Sequence, residues 1–327
     1  MNSSRREWIQ WAGIGAASLG GMGRAWAGPF PEKPIKLIVP YPAGGGADQW
    51  ARIVGGKAEK LLGQTIVFDY KPGASTTIGA DAAAKAPADG YTLHLIDSTA
   101  FAYVPNMRKV SYDPLKSFTP LVHLGELPFV LVAHPSVPVR NLQDLIAYAK
   151  ANPNKLNCAS AGVGSPHHLI AEIFKQRAGI SLNHVPYKGA AQYMADLVGG
   201  QVDLAVSTLG PAMPHVQTGR IRALGVSSAK RSGSLPDVPT IAEQGLPGFD
   251  EKSWVLLVGP AGIPAEPLAR LRAAFRTSLQ DPEVVTALQN AGLEDVGSLP
   301  VDKIAELMRS ELNKWGEVIR NAKISMD

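Results

Sequence analysis

Short apolar runs alternate with helical stripes along most of this chain. Ile35, Leu37, Ile38 and Val39 read as a buried strand. After Gly44, Gly45 and Gly46, the apolar positions Trp50, Ile53, Val54, Ala58, Leu61 and Leu62 recur with a helical period. Thr65 to Tyr70 predicts a second strand, Ile78 to Lys85 an alanine-rich helix, and Tyr91 to Ile96 a third strand. The order β-α-β-α-β implies a parallel sheet, in which ligands sit beyond the carboxyl ends of the strands. Gly44 to Gly46, Ser75 and Ser98 fall at that edge. Tyr112-Asp113-Pro114 and Phe118-Thr119-Pro120 read as a connecting segment. Strands are then expected at Phe129 to Ala133, Leu156 to Ser160, Asn183 to Tyr187, Val202 to Val206, Ile221 to Val226 and Trp254 to Val258. Two amphipathic helices, about Pro267 to Leu279 and Val301 to Arg320, close the chain.

The glycine loop and the helix after it carry the first hint of chemistry. A helix N-terminus projecting from a sheet edge attracts anions, and glycines let a ligand approach the backbone. A plain tight turn is the alternative. Neither nucleotide pattern fits, because no Gly-Lys-Ser/Thr follows and the glycines are not spaced. Ala161-Gly162-Val163-Gly164-Ser165-Pro166 repeats the arrangement, with Ser165 suited to cap a helix and Pro166 to begin it. Ser75, Thr76 and Thr77 serve equally as helix caps or as ligand contacts.

Composition narrows the classes. The chain has 327 residues, 45% hydrophobic and 18% charged, an ordinary globular balance with length for two domains. Arg5-Arg6, a glycine- and alanine-rich apolar stretch and Ala25-Trp26-Ala27 resemble a twin-arginine export signal over residues 1–27, with a general secretory signal carrying an incidental Arg-Arg as the alternative; either leaves a soluble periplasmic chain. That leader carries a net +2 of the formal +4, so the remainder is too mildly basic to argue for nucleic acid. Cys158 is the single cysteine, which rules out an internal disulfide, and it reads as a small buried hydrophobe. Ser227-Ser228-Ala229-Lys230 matches Ser-x-x-Lys in its letters. His167, His168 and Glu172 only sketch a metal site, since no His-Glu-x-x-His pattern supports them. Neither a metal nor a cofactor is expected.

Several further segments carry a resemblance: Pro40-Tyr41-Pro42-Ala43-Gly44-Gly45-Gly46-Ala47-Asp48, Lys71-Pro72-Gly73-Ala74, Ala88-Asp89-Gly90-Tyr91, Gly164-Ser165-Pro166-His167-His168-Leu169, His184-Val185-Pro186-Tyr187-Lys188-Gly189 and Leu235-Pro236-Asp237-Val238-Pro239-Thr240. With these, the chain resembles the Bug family of extracytoplasmic solute-binding receptors of tripartite tricarboxylate transporters. The resemblance implies an α/β, two-domain periplasmic-binding-protein clamshell (type II-like), each domain a mainly parallel sheet flanked by helices, with the ligand in the cleft. One domain is expected at 28–125 and 249–327, the other at 126–248. The implied function is a non-enzymatic receptor, a monomer, that binds a small organic carboxylate and delivers it to membrane permease subunits. A serine hydrolase using Ser227 or Ser165, or a sensor receptor, is the alternative. The expected ligand-binding residues are Tyr41, Gly44, Gly45, Gly46, Ala47, Asp48, Ser75, Ser98, Ser160, Gly162, Gly164, Ser165, His168, Tyr187 and Ser207. Three departures from the family pattern stand out: Ala47 where a threonine is usual, Gly73-Ala74-Ser75-Thr76 where Gly-Ala-Gly-Gly is common, and Ser98-Thr99-Ala100 in place of a more polar stretch. They point to a carboxylate with an apolar or aromatic body.

Overall fold

The structure, a computed structural model, describes residues 30–326. The export signal expected over residues 1–27 lies outside the described residues. Among the described residues, no helix is long and apolar enough to cross a membrane.

The first half is built as the apolar pattern dictates. Strand β1 (Ile35–Val39) lies between β2 (Ile66–Tyr70) and β3 (Thr92–Asp97) and runs parallel to both. Helix α1 (Gly46–Leu62) turns Ala47, Trp50, Ala51, Val54, Ala58 and Leu62 inward and stops at Gly63, whose φ of 70° ends the helix without steric cost. Helix α2 (Thr77–Ala84) covers the other face. After β3 the chain makes a π-helical turn, Thr99–Tyr103, that runs into a short helix α3 (Val104–Met107).

Strand β4 (Phe118–Ala133) is 16 residues long and joins the two halves. Its Phe118–Pro128 part pairs antiparallel with β9 (Lys252–Pro260), and its Phe129–Ala133 part pairs antiparallel with β7 (Leu204–Thr208) and β8 (Arg222–Val226). The segment Phe118-Thr119-Pro120, expected to be a connection, is therefore strand. Pro120 is accommodated where the register with β9 shifts, between Pro120 and Val122, because a ring nitrogen without hydrogen is tolerated at such an irregularity.

The second half repeats the parallel plan. Strand β5 (Asn157–Ser160) pairs parallel with β6 (Asn183–Pro186) and β7, flanked by α4 (Leu142–Ala151), α5 (Pro166–Ala178), α6 (Ala190–Val198) and α7 (Leu209–Gln217). The strand order β2-β1-β3-β9-β4-β7-β5-β6 is one continuous path, with β8 beside β4. Three helices close the chain rather than two: α8 (Ala265–Gln280), α9 (Pro282–Asn290) and α10 (Val301–Asn321). Asp281-Pro282 hid the extra start, although Asp281 accepts from the Glu283 N–H at 2.9 Å, an ordinary cap.

One core lies between the first sheet and α1, α8 and α9. A second runs from the opposite face through the π-turn and α10 into α5. At its centre Trp315 is fully buried, edge-on to Tyr103 with ring centroids 4.7 Å apart, and donates to Glu311 at 2.7 Å. The crossover itself is clipped by Ser227. Its Oγ accepts from Phe129 N–H at 2.9 Å and donates to the Glu251 carbonyl. This serine, buried to 1% exposure, holds three chain segments together.

Candidate functional site

Both glycine loops lie at the carboxyl ends of parallel strands. In the first, Gly44 takes φ 84°, and Gly44, Gly45 and Gly46 are exposed. No side chain caps α1 at Gly45. Instead Asp48, inside the first turn, reaches back to accept the Gly44 N–H at 2.7 Å. Its other oxygen accepts from Tyr70 Oη at 2.6 Å and from Arg52 Nε at 2.7 Å. Burial pushes the Asp48 pKa up, but the Tyr70 hydroxyl, the Gly44 N–H and Arg52 outweigh it and hold the carboxyl below its usual range. Both carboxylate oxygens are spent on the protein, so Asp48 braces the loop from behind. The first-turn N–H groups of α1, which have no intrahelical partners, face outward from that brace.

Tyr41 leaves the same loop and donates to Asp97. Asp97 also accepts from the N–H groups of Thr99 at 3.0 Å and Ala100 at 3.3 Å, capping the π-turn. Burial raises the Asp97 pKa despite these donors. Ser98 is completely buried, and its Oγ accepts from Trp254 N–H at 2.8 Å. It therefore ties the end of β3 to β9 from within the core.

The turn between β2 and α2 departs from the expected hydroxyl cap. Gly73, Ala74, Ser75 and Thr76 all have positive φ, from 47° to 115°. A left-handed run of non-glycine residues costs about 1–2 kcal/mol per residue. It is held by Arg108, whose Nη2 donates to Ala74 O at 2.8 Å and to Thr77 Oγ1 at 3.2 Å. Thr76 makes no side-chain cap, and Ser75 stands exposed at the edge.

The second loop is tied together by its own hydroxyls. Ser165 Oγ donates to Gly162 O at 2.7 Å and accepts from His168 N–H at 3.3 Å, the expected cap of α5. Gly162 (φ 120°) and Gly164 (φ 72°) adopt backbone that side chains avoid. A Cβ on Gly164 would lie 2.6 Å from Met107 Sδ, so this loop packs directly on α3 of the first half. Ser160 Oγ lies 2.6 Å from His184 Nε2 and accepts from Gly162 N–H at 3.1 Å. His168 Nδ1 accepts from Gly164 N–H at 3.1 Å, and its ring stacks on His184 at 3.7 Å with 7° between planes. His168 thus fixes loop shape. Tyr187 Oη donates to Asp196 at 2.7 Å, and burial, then Asp196, raises its pKa to about 12. Ser207 is fully buried, accepting from Tyr193 Oη and donating to Thr208 O, each at 2.9 Å. Like that of Ser98, its hydroxyl is already committed to partners within the chain.

The expected residues thus separate into two groups. Gly44, Gly45, Gly46, Ala47, Gly162, Gly164 and Ser165 form the two helix entrances, with Ser75 at the edge. Asp48, Ser160 and His168 brace them, while the hydroxyls of Tyr41, Ser98, Tyr187 and Ser207 are bonded to Asp97, Trp254, Asp196 and Tyr193. His167, which the sequence offered only as part of a sketched metal site, belongs to neither group. Both of its ring nitrogens are buried without a hydrogen-bond partner among the described residues, and its ring lies between Phe129 and Tyr193. The His167-His168 doublet marked the place, but nothing local distinguished the two rings. Three cationic side chains bonded at or beside the first-half loops are committed: Arg52 to Asp48 and Tyr70, Arg108 to Ala74, and Lys71 to Asp69 at 3.4 Å. The first helix entrance therefore offers backbone N–H groups rather than these positive charges. Ser227, the candidate nucleophile, is spent on the crossover clip. Cys158, 3% exposed, has its thiol pKa pushed to about 12 by burial.

Comparison with known proteins agrees with this geometry. The family model described as tripartite tricarboxylate transporter family receptor matches residues 50–324. BugT of Bordetella pertussis is 35% identical over 310 residues, covering 94% of this chain and 95% of BugT. The R. palustris protein Rpa4515, solved with adipate, superposes with a TM-score of 0.79 at 34% identity, over 90% of this chain and 99% of that one. MatC from Rhodopseudomonas palustris, solved with bound malate, gives a TM-score of 0.75 at 31% identity, over 89% of this chain and 100% of MatC. The architecture is the two-domain clamshell of periplasmic binding proteins, and the chain belongs to the Bug family of solute-binding receptors of tripartite tricarboxylate transporters.

Proposed function

We propose that this chain captures a small organic carboxylate between its two halves in the periplasm and presents it, as a monomer, to the permease subunits of a tripartite transporter. The observation that carries the reading is the pair of glycine loops, each opening a helix at the carboxyl end of a parallel sheet. Two such N-termini stabilise an anion through oriented N–H groups and helix dipoles. Adipate and malate in two related structures support a carboxylate ligand. The exposed Val163 beside the second loop favours a ligand with an apolar body. The halves are taken as 28–125 with 249–327, and 126–248. The change of partners along β4 after Pro128 and the return through β9 support limits close to these. Closure about these crossing strands would desolvate the ligand and create the surface that a permease reads.

Thermal melting with adipate, malate, citrate and benzoate tests the ligand class. A ligand at a hundred times its Kd adds about 2.7 kcal/mol to stability. Stabilisation by none of them overturns the carboxylate reading, and stabilisation by citrate alone overturns the apolar body. Delivery is tested by uptake of the stabilising carboxylate into cells with and without this chain; equal uptake refutes it.

A further inference from the structure

His167 lies in the first turn of α5, over the carboxyl end of β5. Phe129 pairs with Thr208, the last residue of β7, so it stands at the same edge of the sheet. The imidazole is held edge-to-face against Phe129, at 5.2 Å and 86°, and lies 5.8 Å and 61° from Tyr193. The Tyr193 hydroxyl is turned to Ser207 and gives the imidazole nothing. Both imidazole nitrogens are buried, and neither has a partner among the described residues. The neighbouring rings behave differently: His168 Nδ1 holds Gly164, and His184 Nε2 holds Ser160. A buried donor and acceptor left unpaired together are rare and costly, and call for a partner supplied from outside the chain.

We propose that His167 is a specificity-determining contact of the second half, and that the ligand it selects is a carboxylate bearing a hydroxyl group. This rests on the carboxylate reading above and adds to it the chemistry of the ligand's other end. Burial holds the ring pKa down at about 4, so the ring is neutral near pH 7 and offers one N–H and one lone pair but no charge. A second carboxylate there would meet no countercharge between two aromatic rings. A hydroxyl both donates and accepts, so it satisfies either nitrogen in either tautomer. Phe129 and Tyr193 provide the apolar wall for the hydrocarbon body. The ligand's carboxylate is left to the glycine-loop N–H groups.

Calorimetric titration with matched pairs tests this: malate against succinate, 6-hydroxyhexanoate against hexanoate, and 4-hydroxybenzoate against benzoate. In the wild type, at least one hydroxylated member binds about tenfold or more tighter than its partner. His167→Phe brings that pair to within about threefold, and His167→Asn, which keeps a donor and an acceptor, restores part of the preference. Because the ring has no protein partner to lose, the unliganded His167→Phe chain melts within about 4 °C of wild type or above it. The proposal is overturned if the wild type binds these carboxylates without distinguishing any pair, if His167→Phe keeps the preference, or if that variant melts lower and loses both members of a pair alike. A wild type that binds none of them sinks the carboxylate reading itself, and this proposal with it.

Discussion

Acidification from pH 7 to pH 5 should weaken this protein sharply, because it buries neutral histidines. His94 and His123 are 0% and 1% exposed, and burial drives both to a pKa of about 4. Burial does the same to His167 and His184. In the unfolded chain a histidine titrates near 6.5. The folded pKa lies below the unfolded one, and it is the neutral base that is favoured. The stability contributed is therefore complete above about pH 6.5 and is lost as pH falls toward 4. At pH 5 the unfolded form gains about 2 kcal/mol per histidine, so His94 and His123 alone remove about 4 kcal/mol. His167 and His184 bring the gross loss to about 7–8 kcal/mol. Burial raises Asp97, Glu126, Glu251 and Glu294 above their usual pKa; the fold binds these protons first, so they return part of the loss. Asp48 and Glu172, held low, lose their contribution only near and below pH 4. The expected net drop, about 3–6 kcal/mol, compares with a total stability of about 5–15 kcal/mol. Urea unfolding followed by tryptophan fluorescence at pH 7 and pH 5 should show a midpoint about 1–2 M lower at pH 5. His167→Phe should shrink the drop by about 2 kcal/mol. A midpoint that moves by less than about 0.3 M would refute the reasoning.

Other substitutions test the scaffold of the site. Asp48→Asn leaves one acceptor oxygen for Gly44, Tyr70 and Arg52; it should cost about 1–3 kcal/mol in urea unfolding and weaken carboxylate binding, and an unchanged affinity would remove Asp48 as the brace of the loop. Gly79→Ala would place a Cβ 3.1 Å from Pro40 Cβ, 3.2 Å from His94 Cε1 and 3.3 Å from Lys71 O; crowding from three sides should cost about 1–3 kcal/mol, and a neutral result would show that the loop yields freely. Ser227→Ala strands the buried Phe129 N–H and should cost about 1–3 kcal/mol while leaving carboxylate affinity in place; an ester hydrolysis present in wild type and abolished by this change would instead restore the hydrolase reading.

Much of the site was legible because its signals are local. The strand of β1, the glycines after it and the stripe of α1 sit within one stretch, and the same order recurs from Asn157 to Ala178. Ser165 caps α5 as its position before Pro166 suggested. The hydroxyls were harder to assign. Ser98 and Ser207 fall at strand ends, as the pattern required, yet both turn inward, because the pleat and the π-turn decide the face. Ser75 and Thr76 looked like caps, but a left-handed run held by Arg108, 31 or more residues away, replaced them.

The sequence by itself determined the α/β class, the two repeated strand–loop–helix units and the place of the two glycine-loop helix entrances. Hydrophobic period, glycine and capping chemistry all act over a few residues, so they can be read from the residues themselves. Only the tertiary structure decided that β4 runs as one strand through both halves, that α10 packs on both the π-turn and α5, and that Asp48 and His168 are spent on the loops while His167 is left unpaired among the described residues. Each depends on which distant groups the packing brings within hydrogen-bond reach, and that distance is a property of the assembled fold.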